Sequence, residues 1–123
     1  MIIDAHCHLG ASPQFYLPHA SVATMLRTMD RLQIERIVAA PLAMLFGLPE
    51  AGWQEGLQAY HESAGRILLY SVFDPRDPDS LEFVRRSCEE PCTVGLKIHP
   101  AMHQRSADDG CWRPIWELAA ERK

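Results

Sequence analysis

A chain of 123 residues, 47% of them apolar, is long enough to bury one hydrophobic core. Its 12 lysines and arginines are scattered among 16 acidic residues for a formal charge of -4, which excludes the basic stripe that nucleic acid requires. There is no apolar run of about eighteen residues to span a membrane, and the N terminus enters at once a segment with an aspartate and two histidines instead of a signal peptide, so the expected compartment is the cytoplasm.

The opening segment, Met1-Ile2-Ile3-Asp4-Ala5-His6-Cys7-His8, predicts a buried strand of a parallel sheet. Strand alternation sends Ile2, Asp4, His6 and His8 to one face and Ile3, Ala5 and Cys7 to the other. Two imidazoles at i and i+2 can meet a single divalent ion, zinc first and manganese second, because neutral imidazole nitrogen is a strong ligand for such metals. Asp4, one step deeper, either holds a ring N–H or acts as a structural acceptor. A pair does not complete a zinc site, and a polar strand end that happens to carry two histidines explains the same residues. Cys7 is turned away from both rings and is expected as a buried thiol beneath a helix.

The segment from Leu9 to Ala20, with Gly10, Pro13 and Pro18, has no period and predicts a loop leaving the strand's carboxyl end, where α/β proteins build their sites. Ser21 is placed to cap a helix to about Leu32 whose stripe is Val22, Met25, Leu26, Met29 and Leu32. A second strand runs through Ile37-Val38-Ala39-Ala40 and stops at Pro41. Leu42 to Leu48 is a short helical turn over the strand ends or a pocket wall, and Met44, Leu45 and Phe46 are candidates to line an apolar slot. From Pro49 the spacing of Trp53, Leu57, Tyr60 and Ala64 predicts a helix closed by Gly65, with His61 at its surface.

Ile67 to Phe73 reads as the third strand. Asp77 and Pro78 are suited to the cap and first position of a helix that turns Leu81, Val84 and Cys88 inward and ends before Pro91. The cysteines, at 7, 88, 92 and 111, follow no zinc-finger spacing and are read as reduced and unpaired. Thr93 to His99 is the fourth strand. Val94, Leu96 and Ile98 form its apolar face, while Gly95, Lys97 and His99 share the other. Lysine on an interior strand calls for a carboxylate, a bound anion or a modification. Pro100 leaves His99 at the strand's mouth, as a substrate contact or a hydrogen-bonded interior residue. Ala101 to Asp109 reads as a polar loop. Asp108-Asp109-Gly110 then announces a helix with Trp112, Ile115, Trp116 and Ala119 inward and Pro114 in its first turn.

Four strands, each followed by a helix, define an α/β class whose right-handed crossovers make every strand parallel. The strand carboxyl ends then lie together, with the residues after His8 and around His99 on one face. A flavodoxin-like sheet is the alternative, although none of these loops has the glycine-rich phosphate pattern.

The opening Met1-to-Gly10 segment, the helix ending near Met29-Asp30-Arg31-Leu32, the run Asp74-Pro75-Arg76-Asp77-Pro78 and the run Gly95-Leu96-Lys97-Ile98-His99-Pro100 together resemble the amidohydrolase-related group of metal-dependent hydrolases. That group includes decarboxylases of the aminocarboxymuconate-semialdehyde type. The resemblance spans essentially the whole chain. It implies a TIM-type (β/α)8 barrel, of which residues 1–123 would be the N-terminal (β/α)4 half, ending in the helix after the fourth strand. His6 and His8 match the two first-strand metal ligands. The further ligands, histidines after the fifth and sixth strands, and the aspartate after the eighth that handles the catalytic proton have no counterpart here. In binuclear relatives a fourth-strand lysine or glutamate bridges two metals, and Lys97 is on that strand and face.

The implied reaction is hydrolysis of a C–N or C–O bond of a small molecule by metal-activated water, with decarboxylation of an unsaturated or aromatic acid as the alternative. A metal-histidine phosphoesterase is a competitor that would need more strand-end histidines and carboxylates. The non-enzymatic competitor is a catalytically empty half barrel that docks through its open edges. Those edges also offer a route to homo-oligomers, including a dimer of half barrels in which a second copy's His6 and His8 face the first pair.

Overall fold

A computed structural model describes residues 1–12, 14, 16–17 and 21–122; Pro13 and Pro18 of the first loop lie outside the described residues. Strands β1 (Ile3–Leu9), β2 (Arg36–Pro41), β3 (Ile67–Val72) and β4 (Thr93–Lys97) form one parallel sheet in the order β1-β2-β3-β4. Between and after them run helices α1 (Val22–Arg31), α2 (Leu42–Leu45), α3 (Pro49–Glu62), α4 (Ser80–Ser87), α5 (Pro100–His103) and α6 (Arg113–Glu121). The strand order is sequential and never reverses, which distinguishes it from the flavodoxin-like alternative. Among the described residues the sheet is open, with β1 and β4 as its edges.

One sheet face is packed by helices. Ile67, Leu69 and Ser71 of β3 are all buried on it. There α3 comes so close that a Cβ on Gly56 would stand 2.9 Å from a Leu69 methyl and 3.2 Å from the Pro41 ring, so the approach depends on glycine. Ser71 meets Ser87 of α4 through hydroxyls 2.6 Å apart, satisfying both in a buried layer. The core continues through Met29, Trp53 and Val84 to Trp112, Ile115 and Leu118 under α6. All four cysteines are free, as their spacing suggests.

Local signals hold where the partner is local. Ser21 caps α1, its Oγ accepting the Thr24 N–H at 3.3 Å, and Val22, Met25, Leu26 and Met29 pack inward. Leu32 is exposed, because it lies just beyond the last turn of α1. Met44 and Leu45 of α2 are buried in the core. The fourth helix begins later than Asp77 suggests: Asp77 Oδ1 accepts the Asp79 N–H in a turn, and Asp79 is the residue preceding α4.

Other expectations fail for tertiary reasons. The first strand is an exposed edge rather than a buried strand; Ile2 and Ile3 are 51% and 50% exposed, because β1 pairs with β2 alone. Val94 is 52% exposed at the opposite edge for the same reason. Trp116 lies outside the core at 52% exposure, beside Val94 and Leu96 in a groove that also includes Cys88 and Arg122. Ala101 to Asp109 is not all polar loop: α5 occupies its start and buries His103 to 1% exposure.

Candidate site at the carboxyl ends of the strands

The two histidines share the open face by strand alternation, and β1 is bulged beside them. Its register with β2 runs from Asp4↔Ile37 to Cys7↔Ala39, so β1 carries one extra residue between those pairs. After the bulge Cys7 joins the core and Leu9 is buried, while the His6 and His8 rings lie edge to face with centroids 5.4 Å apart. The bulge also changes Asp4. Its carboxylate accepts the backbone N–H of His6 at 3.0 Å and lies against the Cys7 thiol, so it holds no imidazole N–H. Asp4 is therefore a structural acceptor. Burial, reinforced by Asp4, pushes the Cys7 thiol up to about 12, which disfavours the thiolate a metal would need.

Hydrogen bonds select the tautomer of each ring. His8 Nδ1 lies 3.2 Å from the carbonyl oxygen of Ala40, which can only accept, so Nδ1 carries the proton and Nε2 keeps its lone pair. Burial, followed by the neighbouring basic groups Lys97, His6 and His99, holds His8 below the usual imidazole range against the opposing pull of Ala40. His6 Nε2 is 3.2 Å from Lys97 Nζ; an ammonium only donates, so this nitrogen accepts. His99 Nδ1 accepts the Met102 N–H at 3.2 Å and caps α5, leaving Nε2 as the N–H donor of a neutral ring.

Lys97 thus occupies the expected face, and its partner is an imidazole instead of a carboxylate. The contact joins the two edge strands. Flat strands spaced by about 4.8 Å would put β1 and β4 roughly 14 Å apart, so the sheet must curve for these side chains to meet. Tyr70 on β3 makes a second bridge: its hydroxyl donates to the Ala5 carbonyl at 2.9 Å across the open face. The ring lies over Gly95, where a Cβ would come within 2.8 Å of it. Sequence reasoning treats Tyr70 only as strand material; its signal is the register, which sets an aromatic directly beside a glycine on β4.

Two further features escape the sequence. Glu55 of α3 packs against Gly10, just after β1; a Cβ there would stand 2.6 Å from its carboxylate, and Gly10 has φ +83°. Burial raises the Glu55 carboxyl. Beside the β4 end, His103 lies against Trp112, with ring centroids 6.0 Å apart. Neither of its ring nitrogens finds a hydrogen-bond partner among the described residues. Asp74 Oδ2 is 3.8 Å away, engaged instead by Arg76, whose hydrogen bond holds the Asp74 carboxyl below its usual range.

His6 and His8 present two imidazoles on the open face, fewer than the three or four protein ligands zinc usually takes. Among the described residues, no group of three or more His, Cys, Asp or Glu side chains could hold an ion. Lys97 and His99 border the pair as a cation and a neutral donor. Among the described residues no helix is long and apolar enough to cross a membrane. Comparison of the chain with protein-family models, curated proteins and solved structures finds no match.

Proposed function

We propose that this chain carries the first-strand half of a metal-dependent hydrolase site of the amidohydrolase-related type, on a (β/α)4 half of a TIM-type barrel. One observation carries the proposal: His6 and His8 face each other on the open side of β1, and the Ala40 carbonyl orients His8 so that its Nε2 lone pair is available. A backbone carbonyl in this role is the usual device for fixing a ligating imidazole. Support for the half barrel comes from the sequential parallel order, the curvature that lets β1 and β4 side chains meet, and the two open edges.

His6 and His8 are the residues that would hold a divalent ion, zinc or manganese. When bound, such an ion polarises a carbonyl and makes water a stronger nucleophile near neutral pH. The chain's own residues do the rest that can be assigned. His99 offers Nε2–H as a neutral donor, and Lys97 supplies fixed positive charge that favours an electron-rich group of the substrate. Among the described residues none is assigned the role of the family's proton-handling aspartate.

A second reading, a catalytically silent half barrel that binds partners, is favoured by the lack of a third ligand among the described residues and by the exposed Ile2, Ile3 and Val94 at the sheet edges. The test is zinc titration by calorimetry of the wild type and of the double variant His6→Ala/His8→Ala, with circular dichroism to check the fold. Weak binding that the double variant abolishes is the expected result. Zinc retained equally by both proteins would overturn the assignment.

A further inference from the structure

We infer that the open face of the sheet is a site for a small oxyanion, a carboxylate or a phosphate, received by the Lys97 ammonium with His6 and His99 beside it. The inference rests on the reading of this face as the chain's site and needs no metal; it names the charge of the ligand that these residues recognise.

Valence decides what the face can receive. A neutral imidazole has one in-plane lone pair, and on His6 the acceptor is Nε2, engaged by Lys97 Nζ at 3.2 Å. Of the two β1 imidazoles, that leaves a cation only the Nε2 lone pair of His8. Protons to donate are more plentiful. Lys97 has three N–H bonds and uses one on His6. With Nε2 as its acceptor, the neutral His6 ring carries its proton on Nδ1; His99, whose Nδ1 accepts the Met102 N–H, carries its proton on Nε2. A face with an ammonium, two ring N–H donors and one lone pair suits an anion better than a cation.

The positive charge is not balanced within the fold. Lys97 is half-buried, which calls for opposite charge, yet the partner it finds is a ring. Among the described residues no carboxylate is within ion-pair distance of it. The acids around the strand ends are engaged elsewhere. Asp4 accepts the His6 backbone N–H at 3.0 Å, Asp74 after β3 is held by Arg76 at 2.7 Å, and Glu55 packs against Gly10. The titratable neighbours that act on His8 are Lys97, His6 and His99, all basic. An oxyanion carried by a ligand supplies what the fold lacks, because a bond from an ammonium to an oxyanion is charge-assisted on both sides. The two N–H bonds that Lys97 has left can take it without giving up His6. Access is open as well, since His6 is exposed and Lys97 and His99 are only half-buried.

The experiment titrates metal-stripped protein with inorganic phosphate and, separately, with acetate, at constant pH and at an ionic strength held with chloride, and follows the histidine ring protons by NMR. The proteins are the wild type, Lys97→Met and Arg36→Gln, with Lys97→Gln as a second uncharged variant should the methionine protein fail to fold. Arg36 is an exposed cation at the start of β2, away from the carboxyl ends of the strands. The wild type is expected to show a saturable shift with at least one of the two anions, and which one responds tells phosphate from carboxylate. Removing the Lys97 charge is expected to weaken that binding about tenfold, the loss of one hydrogen bond to a charged group, while Arg36→Gln leaves it unchanged. No saturable shift with either anion in the wild type, equal binding by the Lys97 variant, or an equal loss in Arg36→Gln would overturn the inference. The zinc titration above separates the two readings. Anion binding without zinc binding upholds the inference and ends the metal assignment, and zinc binding that depends on His6 and His8 without anion binding does the reverse.

Discussion

Replacing His103 by phenylalanine should remove a pH dependence of stability that this buried ring imposes. His103 is 1% exposed, and neither ring nitrogen has a hydrogen-bond partner among the described residues. Burial lowers its pKa, outweighing the opposing attraction of Asp74. The unfolded chain therefore takes up a proton on this residue, near its ordinary value of about 6.5, before the folded chain does. Its contribution to stability is fully present above that value and is lost as the pH falls below it toward the lowered folded value. For a ring that stays neutral in the fold, going from about pH 7.5 to about pH 5.5 costs at most about 1.4 kcal/mol. Asp74 acts in a separate window: its depressed carboxyl contributes stability above the ordinary carboxylate range and loses it only as the pH falls through its folded value. His8, also lowered, is present in both proteins and cancels in the comparison. Urea unfolding followed by tryptophan fluorescence, at several pH values for wild type and His103→Phe, gives the difference directly. The wild type should lose stability more steeply below about pH 6.5, by up to the amount above. Parallel curves for the two proteins would refute the reasoning.

At the open face, Gly95→Ala forces a methyl into the Tyr70 ring and should cost about 1–3 kcal/mol, measured by urea unfolding. In a Tyr70→Ala background the same change should cost much less, and an undiminished cost would show that the ring is not the obstacle. The two C-terminal tryptophans should behave oppositely. Trp112 is fully buried and donates Nε1–H to the Ser106 carbonyl at 2.7 Å, so Trp112→Ala should cost about 3–5 kcal/mol. Trp116→Ala should stay within about 1 kcal/mol, since half of that side chain is already exposed, and equal losses for the two variants would contradict the burial assigned to them.

The candidate site was legible in sequence where it depends on spacing along one strand. His6 and His8 share a side, and Gly95 and Lys97 share the open face of β4, because strand alternation is a property of the backbone. For Asp4 the sequence left two roles open, a ring N–H partner or a structural acceptor, and the choice was not legible because a bulge is a mismatch between two strands and cannot be counted on one of them. The link between Lys97 and His6 was equally hidden. Lysine's need for a partner is readable, but the partner's identity depends on how far the sheet curves.

The sequence by itself determined the α/β alternation, the parallel class, the Ser21 cap and the face of each strand's chemistry, since these follow from periodicity and from bonds between near neighbours. Only the tertiary structure decided which strands are edges, and hence that Ile2, Ile3 and Val94 face solvent despite their apolar pattern. It also decided that α5 buries His103 in a segment of polar composition, and that Trp112 rather than Trp116 fills the core. Burial and charge pairing depend on what lies across space from a residue, and that is set only when the sheet, its curvature and its helices come together.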